Sequence, residues 1–253
     1  MKYVAAERRN RLAQLIMEQG SVRIGDMAAL FGVTNETIRK DLLYLDEQKI
    51  VCKRHGGAVA VSEPYERPLH DRAMENGDLK ERIARKALEL LENNSVIILD
   101  SGTTVLTLAR MLAPYEQLTI VTNSFPAAVE LTEAGKTVHM IGGEISAVTM
   151  STSGMAATND LNMVKADIAF LGTSGFQSFG GPSAKAFSQA QTKVDMIRNS
   201  RMHVVLADSS KFQTNAFVQF AQWSQIDYLI TDGGAPEEAL SAIEKQRCKI
   251  LIV

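Results

Sequence analysis

From residue 96 onward the chain carries seven short apolar runs, at 96–99, 118–121, 138–141, 168–171, 204–207, 228–230 and 250–253, with helical stretches between most of them. A strand with one face in water alternates apolar and polar residues; continuous β-branched runs belong to strands buried on both faces. Strands of that kind alternating with helices predict an α/β body on one mainly parallel sheet of about seven strands. A helix over 79–93 is expected to open this body. Leu79, Ile83, Ala87, Leu88 and Leu91 form its apolar stripe, and Lys80, Glu81, Arg82, Arg85 and Lys86 its outer face.

The first sixty residues follow a different pattern. Helices are expected over 6–19, 24–31 and 34–48, with Gly20 as the first stop and a tight Gly32-Val33 turn before the third. Thr34 is a good N-cap, and Glu36 sits in the first turn, where the helix dipole favours an acid. Two short strands within 50–61 are expected to bend at Gly56-Gly57. Helices followed by a hairpin make a winged helix-turn-helix over 1–60. Pro64 and Pro68 disfavour helix and mark 61–77 as a linker, leaving 78–253 as the larger domain.

In such a head the last helix enters the major groove. Its outward residues here are Asn35, Glu36, Thr37, Arg39 and Lys40, with Tyr44 beyond them. Arg39 can reach guanine or phosphate, Asn35 can pair with adenine, and Thr37 can touch a thymine methyl or a phosphate. Lys53, Arg54 and His55 fall on the wing, beside the backbone or minor groove. The net charge of −2 hides an asymmetry that suits this reading. Residues 1–60 hold ten Lys or Arg against seven acids, a net of +3, which leaves −5 for the rest. Spacing alone also allows a three-helix protein–protein module with solvated cations.

The body's strands end in small or polar residues. The ends include Asp100-Ser101-Gly102-Thr103-Thr104, Thr122-Asn123-Ser124, Gly142-Gly143, Gly172-Thr173-Ser174-Gly175, Ala207-Asp208-Ser209-Ser210-Lys211 and Thr231-Asp232-Gly233-Gly234. Open parallel sheets bind ligands outside the carboxyl ends of their strands. Hydroxyls and backbone amides at the start of the helix after Gly102 suit an anion such as phosphate, and Lys211 could neutralise it. Each fragment alone is equally an ordinary capped turn.

Other features mostly exclude. No apolar run approaches the roughly 20 residues of a membrane-spanning helix. Charge arrives early in Met1-Lys2-Tyr3-Val4-Ala5-Ala6-Glu7-Arg8-Arg9, so no secretory signal is expected. Cys52 and Cys248 have no metal or disulfide spacing, which fits a reduced cytoplasmic home. His55, His70, His139 and His203 lack ligand spacing, so no metal or other cofactor is expected. Met150, Met155 and Met163 are read as packing residues.

Several stretches together resemble the DeoR family of transcriptional regulators. In the head these are Arg8-Arg9, the run from Val33 to Leu42, and Arg54-His55-Gly56-Gly57-Ala58. In the body they are Leu99 through Thr104, Val121 through Ser124, Ile141-Gly142-Gly143 and Ala207 through Phe212. The resemblance covers nearly the whole chain in the right order. It implies a winged-helix DNA-binding domain and an effector domain similar in fold to ribose-5-phosphate isomerase and glucosamine-6-phosphate deaminase. It further implies a carbohydrate-operon regulator, usually a repressor, released by a phosphorylated sugar or related metabolite. On that resemblance Asp100, Ser101, Gly102, Thr103, Thr104, Asn123, Ser124 and Lys211 are the candidate effector contacts, with Gly172 and Thr173 on the neighbouring glycine-rich loop.

Three positions depart from the family pattern. Lys49 stands where Gly often precedes the wing, an acidic residue is replaced within Ser188-Gln189-Ala190-Gln191-Thr192-Lys193, and Ser174 stands where Asp is common. The last two imply an effector that differs in its hydroxyl contacts. The expected partners are double-stranded operator DNA, the effector, and further copies of the chain in a dimer or tetramer. The alternative is a sugar-phosphate isomerase or deaminase with an added head. Such chemistry needs a placed acid and base, and loop 172–176 supplies no carboxylate.

Overall fold

The computed structural model describes residues 8–9, 11–13, 15–16, 21–47, 51–54, 56–60, 68–177, 180–214, 216 and 218–253. The chain divides into two compact units, Met1–Tyr65 and Glu66–Val253.

In the first unit, residues 8–9, 11–13 and 15–16 are helical, and the rest of the helix expected over 6–19 lies outside the described residues. Strand β1 (Ser21–Arg23) leads directly into α1 (Ile24–Phe31). Gly32 ends α1 in the left-handed region, and α2 follows as Asn35–Glu47. The Thr37 amide donates to Thr34 Oγ1 at 3.2 Å, so Thr34 is the N-cap its chemistry predicts. Strands β2 (Val51–Arg54) and β3 (Gly57–Ala60) form the wing, and β1 adds to β3 on the other side. The sequence reading missed β1, because three residues with only Val22 buried carry too little periodicity. A side chain at Gly57 would put its Cβ 2.1 Å from the Val22 carbonyl oxygen, so that pairing demands glycine. Leu12, Ile16, Ile38, Leu42, Leu45 and Val51 close a common core.

The second unit opens with two helices, α3 (Leu69–Ala73) and α4 (Gly77–Leu88). The stretch expected as linker therefore contains a helix, and α4 starts two residues early and ends before Asn93. Then come β4 (Val96–Leu99), α5 (Thr103–Met111), β5 (Thr119–Thr122), α6 (Phe125–Glu133) and β6 (Val138–Met140). A hairpin of β7 (Glu144–Ser146) and β8 (Ser151–Ser153) precedes α7 (Met155–Asn162) and β9 (Ala166–Gly172). After β10 (Gly175–Gln177) and β11 (Gly181–Ala184) the chain runs through α8 (Phe187–Arg198), β12 (Ser200–Leu206) and β13 (Val218–Gln219). It closes with β14 (Tyr228–Thr231), α9 (Glu237–Glu244) and β15 (Lys249–Ile252).

The main sheet has seven strands in the order β15-β14-β12-β9-β4-β5-β6, all parallel. Successive residues feed opposite faces. Ile97 and Leu99 join the core beneath α4, α5 and α6, whereas Ile98 joins the core on the other side with Met196 and Trp223. The order reverses between β4 and β9, so the loops after these strands diverge to opposite sides and leave a crevice.

Two placements from the sequence reading are corrected. Met155 and Met163 are exposed and pack little; only Met150 joins the core. Lys80 is buried, not outward, because it stands three, four and seven residues before Ile83, Ala84 and Ala87 and shares their face. Cys248 is buried, and that burial pushes its thiol up to about 12, while Cys52 on β2 is half-buried.

Candidate functional site

The crevice beside β4 is a pocket in the second unit, lined from four strand ends. The end of β4 supplies Asp100 through Thr104, β5 supplies Asn123, β9 supplies Gly172 and Thr173 with Ser174, and the turn after β12 supplies Lys211. Gly102 is the N-cap of α5 at φ +133°, a conformation L side chains rarely adopt. Its carbonyl accepts the Leu106 amide at 2.8 Å and starts the helix. The first amides of α5 have no acceptor within the helix and carry its positive dipole end.

The remaining strand ends do structural work. The Gly142 amide donates to Asp160 Oδ2 at 2.8 Å. Asp232 accepts from the Ser209 amide at 2.7 Å and the Gly234 amide at 3.0 Å. Burial alone would raise the Asp232 pKa, but these bonds outweigh it and hold the carboxyl below its usual range. Ser124 is not brought to the pocket. It caps α6, accepting the Ala127 amide, and that geometry turns its hydroxyl onto its own helix.

The pocket also takes residues that sequence reasoning did not assign. Lys193 on α8 ion-pairs with Asp100 in the interior and donates to the Gly172 carbonyl at 3.0 Å. Asp100 Oδ2 also accepts the Gly172 amide at 2.9 Å, which locks β4 to β9 at the crevice. Thr149, Ser151 and Thr152 come from the β7–β8 hairpin, Gln189 from α8 and Arg72 from α3. The hydroxyl-rich run 149–152 and the helical Lys193 were visible signals; Arg72, in an apparent linker, offered none. Ser174 and Gln189 fall at the departures from the family pattern, and both line the pocket.

The charged lining residues among those described are Arg72, Lys193, Lys211 and Asp100, three cations and one carboxylate. With the α5 amides they favour an anion. Asn123 Nδ2 donates to the Thr152 carbonyl, while its buried Oδ1 accepts no hydrogen bond among the described residues. It is suited to accept from a ligand hydroxyl. No three His, Cys, Asp or Glu side chains among the described residues gather as a metal set. No helix among them is long and apolar enough to cross a membrane.

The first unit exposes cations on α2 and on β2 of the wing. On α2, Asn35, Glu36, Arg39 and Lys40 are exposed, and Arg39 lies 3.4 Å from Glu36. Thr37 is half-buried, with its hydroxyl 3.0 Å from that of Thr34. Lys53 and Arg54 are exposed on β2; His55 lies outside the described residues. Buried Asp41 accepts from Arg8 at 2.5 Å and Arg9 at 2.8 Å, fastening the first helical segment to α2. The Arg9 guanidinium also stands 4.1 Å over the Tyr44 ring.

Residues 8–64 match the DeoR-like helix-turn-helix domain and residues 75–233 the DeoR C terminal sensor domain. The glycerol-3-phosphate regulon repressor of Escherichia coli (strain K12) is 33% identical over 238 residues, covering 94% of each chain. The uncharacterized HTH-type transcriptional regulator YulB of Bacillus subtilis (strain 168) is 32% identical over 253 residues, covering 99% of this chain and 97% of its own. Among solved structures, ribose 5-phosphate isomerase A from Methanocaldococcus jannaschii aligns over 55% of each chain with 21% identity and a TM-score of 0.42. These curated relatives fit a regulator and not the isomerase or deaminase alternative. With both domain models matched in order along its length, the chain belongs to the DeoR family of transcriptional regulators.

Proposed function

We propose that the protein represses a carbohydrate-utilisation operon and releases its operator when a phosphorylated sugar or related phosphorylated metabolite binds the sensor pocket. The observation that carries this reading is the pocket's charge: three cations and one carboxylate beside the amide end of α5. The name of the glycerol-3-phosphate regulon repressor supports a phosphorylated effector. In this reading the first unit binds DNA and the second senses, with α3 and Arg72 of the expected 61–77 linker belonging to the sensor.

Asn35, Glu36, Thr37, Arg39 and Lys40 meet the major groove, and Lys53, Arg54 and His55 flank it. Ser101 through Thr104 with Lys211 hold the phosphate, Asn123 takes a sugar hydroxyl, and Gly172 and Thr173 shape the wall. Asp100 acts through Lys193. The protein works in the cytoplasm as a dimer or tetramer whose heads occupy half-sites about one helical turn apart. Coupling of roughly 1–3 kcal/mol, a 5–150-fold change in operator affinity, suffices for release.

The test pairs two measurements on the full chain. A thermal-shift panel compares glycerol 3-phosphate, ribose 5-phosphate, fructose 6-phosphate and glucosamine 6-phosphate with their unphosphorylated counterparts. A gel shift then follows DNA from upstream of its gene with and without the stabilising compounds. Stabilisation by phosphorylated members only, with release of DNA, supports the reading. Stabilisation by free sugars alone, or DNA binding indifferent to every stabilising compound, overturns it.

A further inference from the structure

The sensor unit's first element is held by three neighbours, two of which, the β7–β8 turn and α5, also line the pocket. The Leu69 amide, at the start of α3, donates to the Val148 carbonyl at 2.9 Å, and the next residue, Thr149, lines the pocket. Beyond the other end, buried Lys80 donates from Nζ to the Arg72 carbonyl at 2.5 Å and to the Glu75 carbonyl. The helix also packs against α5, whose first turn faces the pocket. Between these ties, Arg72 itself lines the pocket. This short helix is the first described element after residues 61–67, which join it in sequence to the DNA-binding unit.

From this we infer that Arg72 is an effector contact that grips the anion held at the α5 N-terminus and thereby fixes the 69–76 segment, the piece of the sensor that leads back to the DNA-binding unit. The inference rests on the phosphate reading of the pocket and adds to it a residue and a route. A guanidinium forks onto a phosphate through two parallel hydrogen bonds, so the bound anion restrains the element that carries it. The tie to Lys80 uses the backbone of residue 72, so changing the Arg72 side chain leaves that tie in place. Burial lowers the Lys80 pKa, with Asp208 and Glu75 opposing it and Lys211 and Arg72 adding to it.

Hydrogen exchange on the full chain, with inorganic phosphate as the probe, tests the inference. Phosphate should slow exchange both at 102–106 and at 69–76. In Arg72→Gln the first effect should survive at about 10–100-fold higher phosphate, and the second should vanish. Arg72→Lys should recover part of the affinity, since it keeps the charge and loses the fork. Slowing at 102–106 without slowing at 69–76 in the unaltered protein overturns the inference and leaves the phosphate pocket standing. An Arg72→Gln protein indistinguishable from the unaltered one does the same. Slowing at neither stretch overturns the phosphate reading, and the inference with it.

Discussion

Asp100 and Lys193 are ninety-three positions apart in sequence and form a buried ion pair at the wall of the sensor pocket. Taking away one partner leaves the other charged and buried, which costs about 3–5 kcal/mol. Lys193→Met and Asp100→Asn should each lower the unfolding free energy of the sensor unit by that amount, read from urea unfolding as a lower midpoint at unchanged slope. The double variant should lose less than the sum of the two, as a double-mutant cycle would read out.

Asp41 plays a comparable part in the first unit, where it accepts from both Arg8 and Arg9. Asp41→Ala should cost about 2 kcal/mol, the worth of a charge-assisted hydrogen bond in a partly buried setting. Thermal melting of the full chain would register this in the DNA-binding unit, together with weaker DNA binding.

Arg39→Ala should weaken operator binding by about 1–3 kcal/mol while leaving the sensor's ligand affinity unchanged. Lys40→Ala should weaken binding to all duplexes alike and reduce the slope of log affinity against log salt by about one. Fluorescence anisotropy across a salt series separates the two outcomes.

Thr103→Ala should raise the effector concentration needed for release by roughly 3–10-fold, one neutral hydrogen bond's worth. Titration calorimetry with the compound retained by the thermal-shift panel measures it. Ser124→Ala should instead lower stability through loss of a helix cap, by about 1 kcal/mol, with effector affinity unchanged.

Asp232 sets an acid limit on stability. Its folded pKa lies below the ordinary carboxylate value, so its contribution is present above that value and lost as pH falls through the folded one. Asp232→Asn should be less stable at pH 7 by about 1–3 kcal/mol, and the gap should narrow below about pH 4. Urea unfolding at a series of pH values would trace both curves.

The sheet was legible because burial on both faces of a parallel strand leaves a continuous apolar run, as at Ile97, Ile98 and Leu99. The β4 end of the pocket was legible for a related reason: a strand ending at Asp100 and a helix starting at Thr103 leave little freedom to the residues between. The hairpin bearing Thr149, Ser151 and Thr152 was not legible as strands, since three residues in each arm are too few to show a period. Lys80 escaped because lysine reads as surface, and its inward role depends on carbonyls of Arg72 and Glu75 that only the fold brings near. Ser124 looked like a ligand contact because a capping hydroxyl and a binding hydroxyl share one sequence signature.

The contrast between the two cysteines has a practical use. Thiol reagents attack the thiolate, so at neutral pH a buried Cys248 held near a pKa of about 12 stays inert. Cys52 stands on the wing, partly open to solvent. A maleimide dye should therefore mark the unaltered polypeptide at one point, next to the surface where duplex is expected to land, and turn the regulator into its own fluorescent sensor of occupancy.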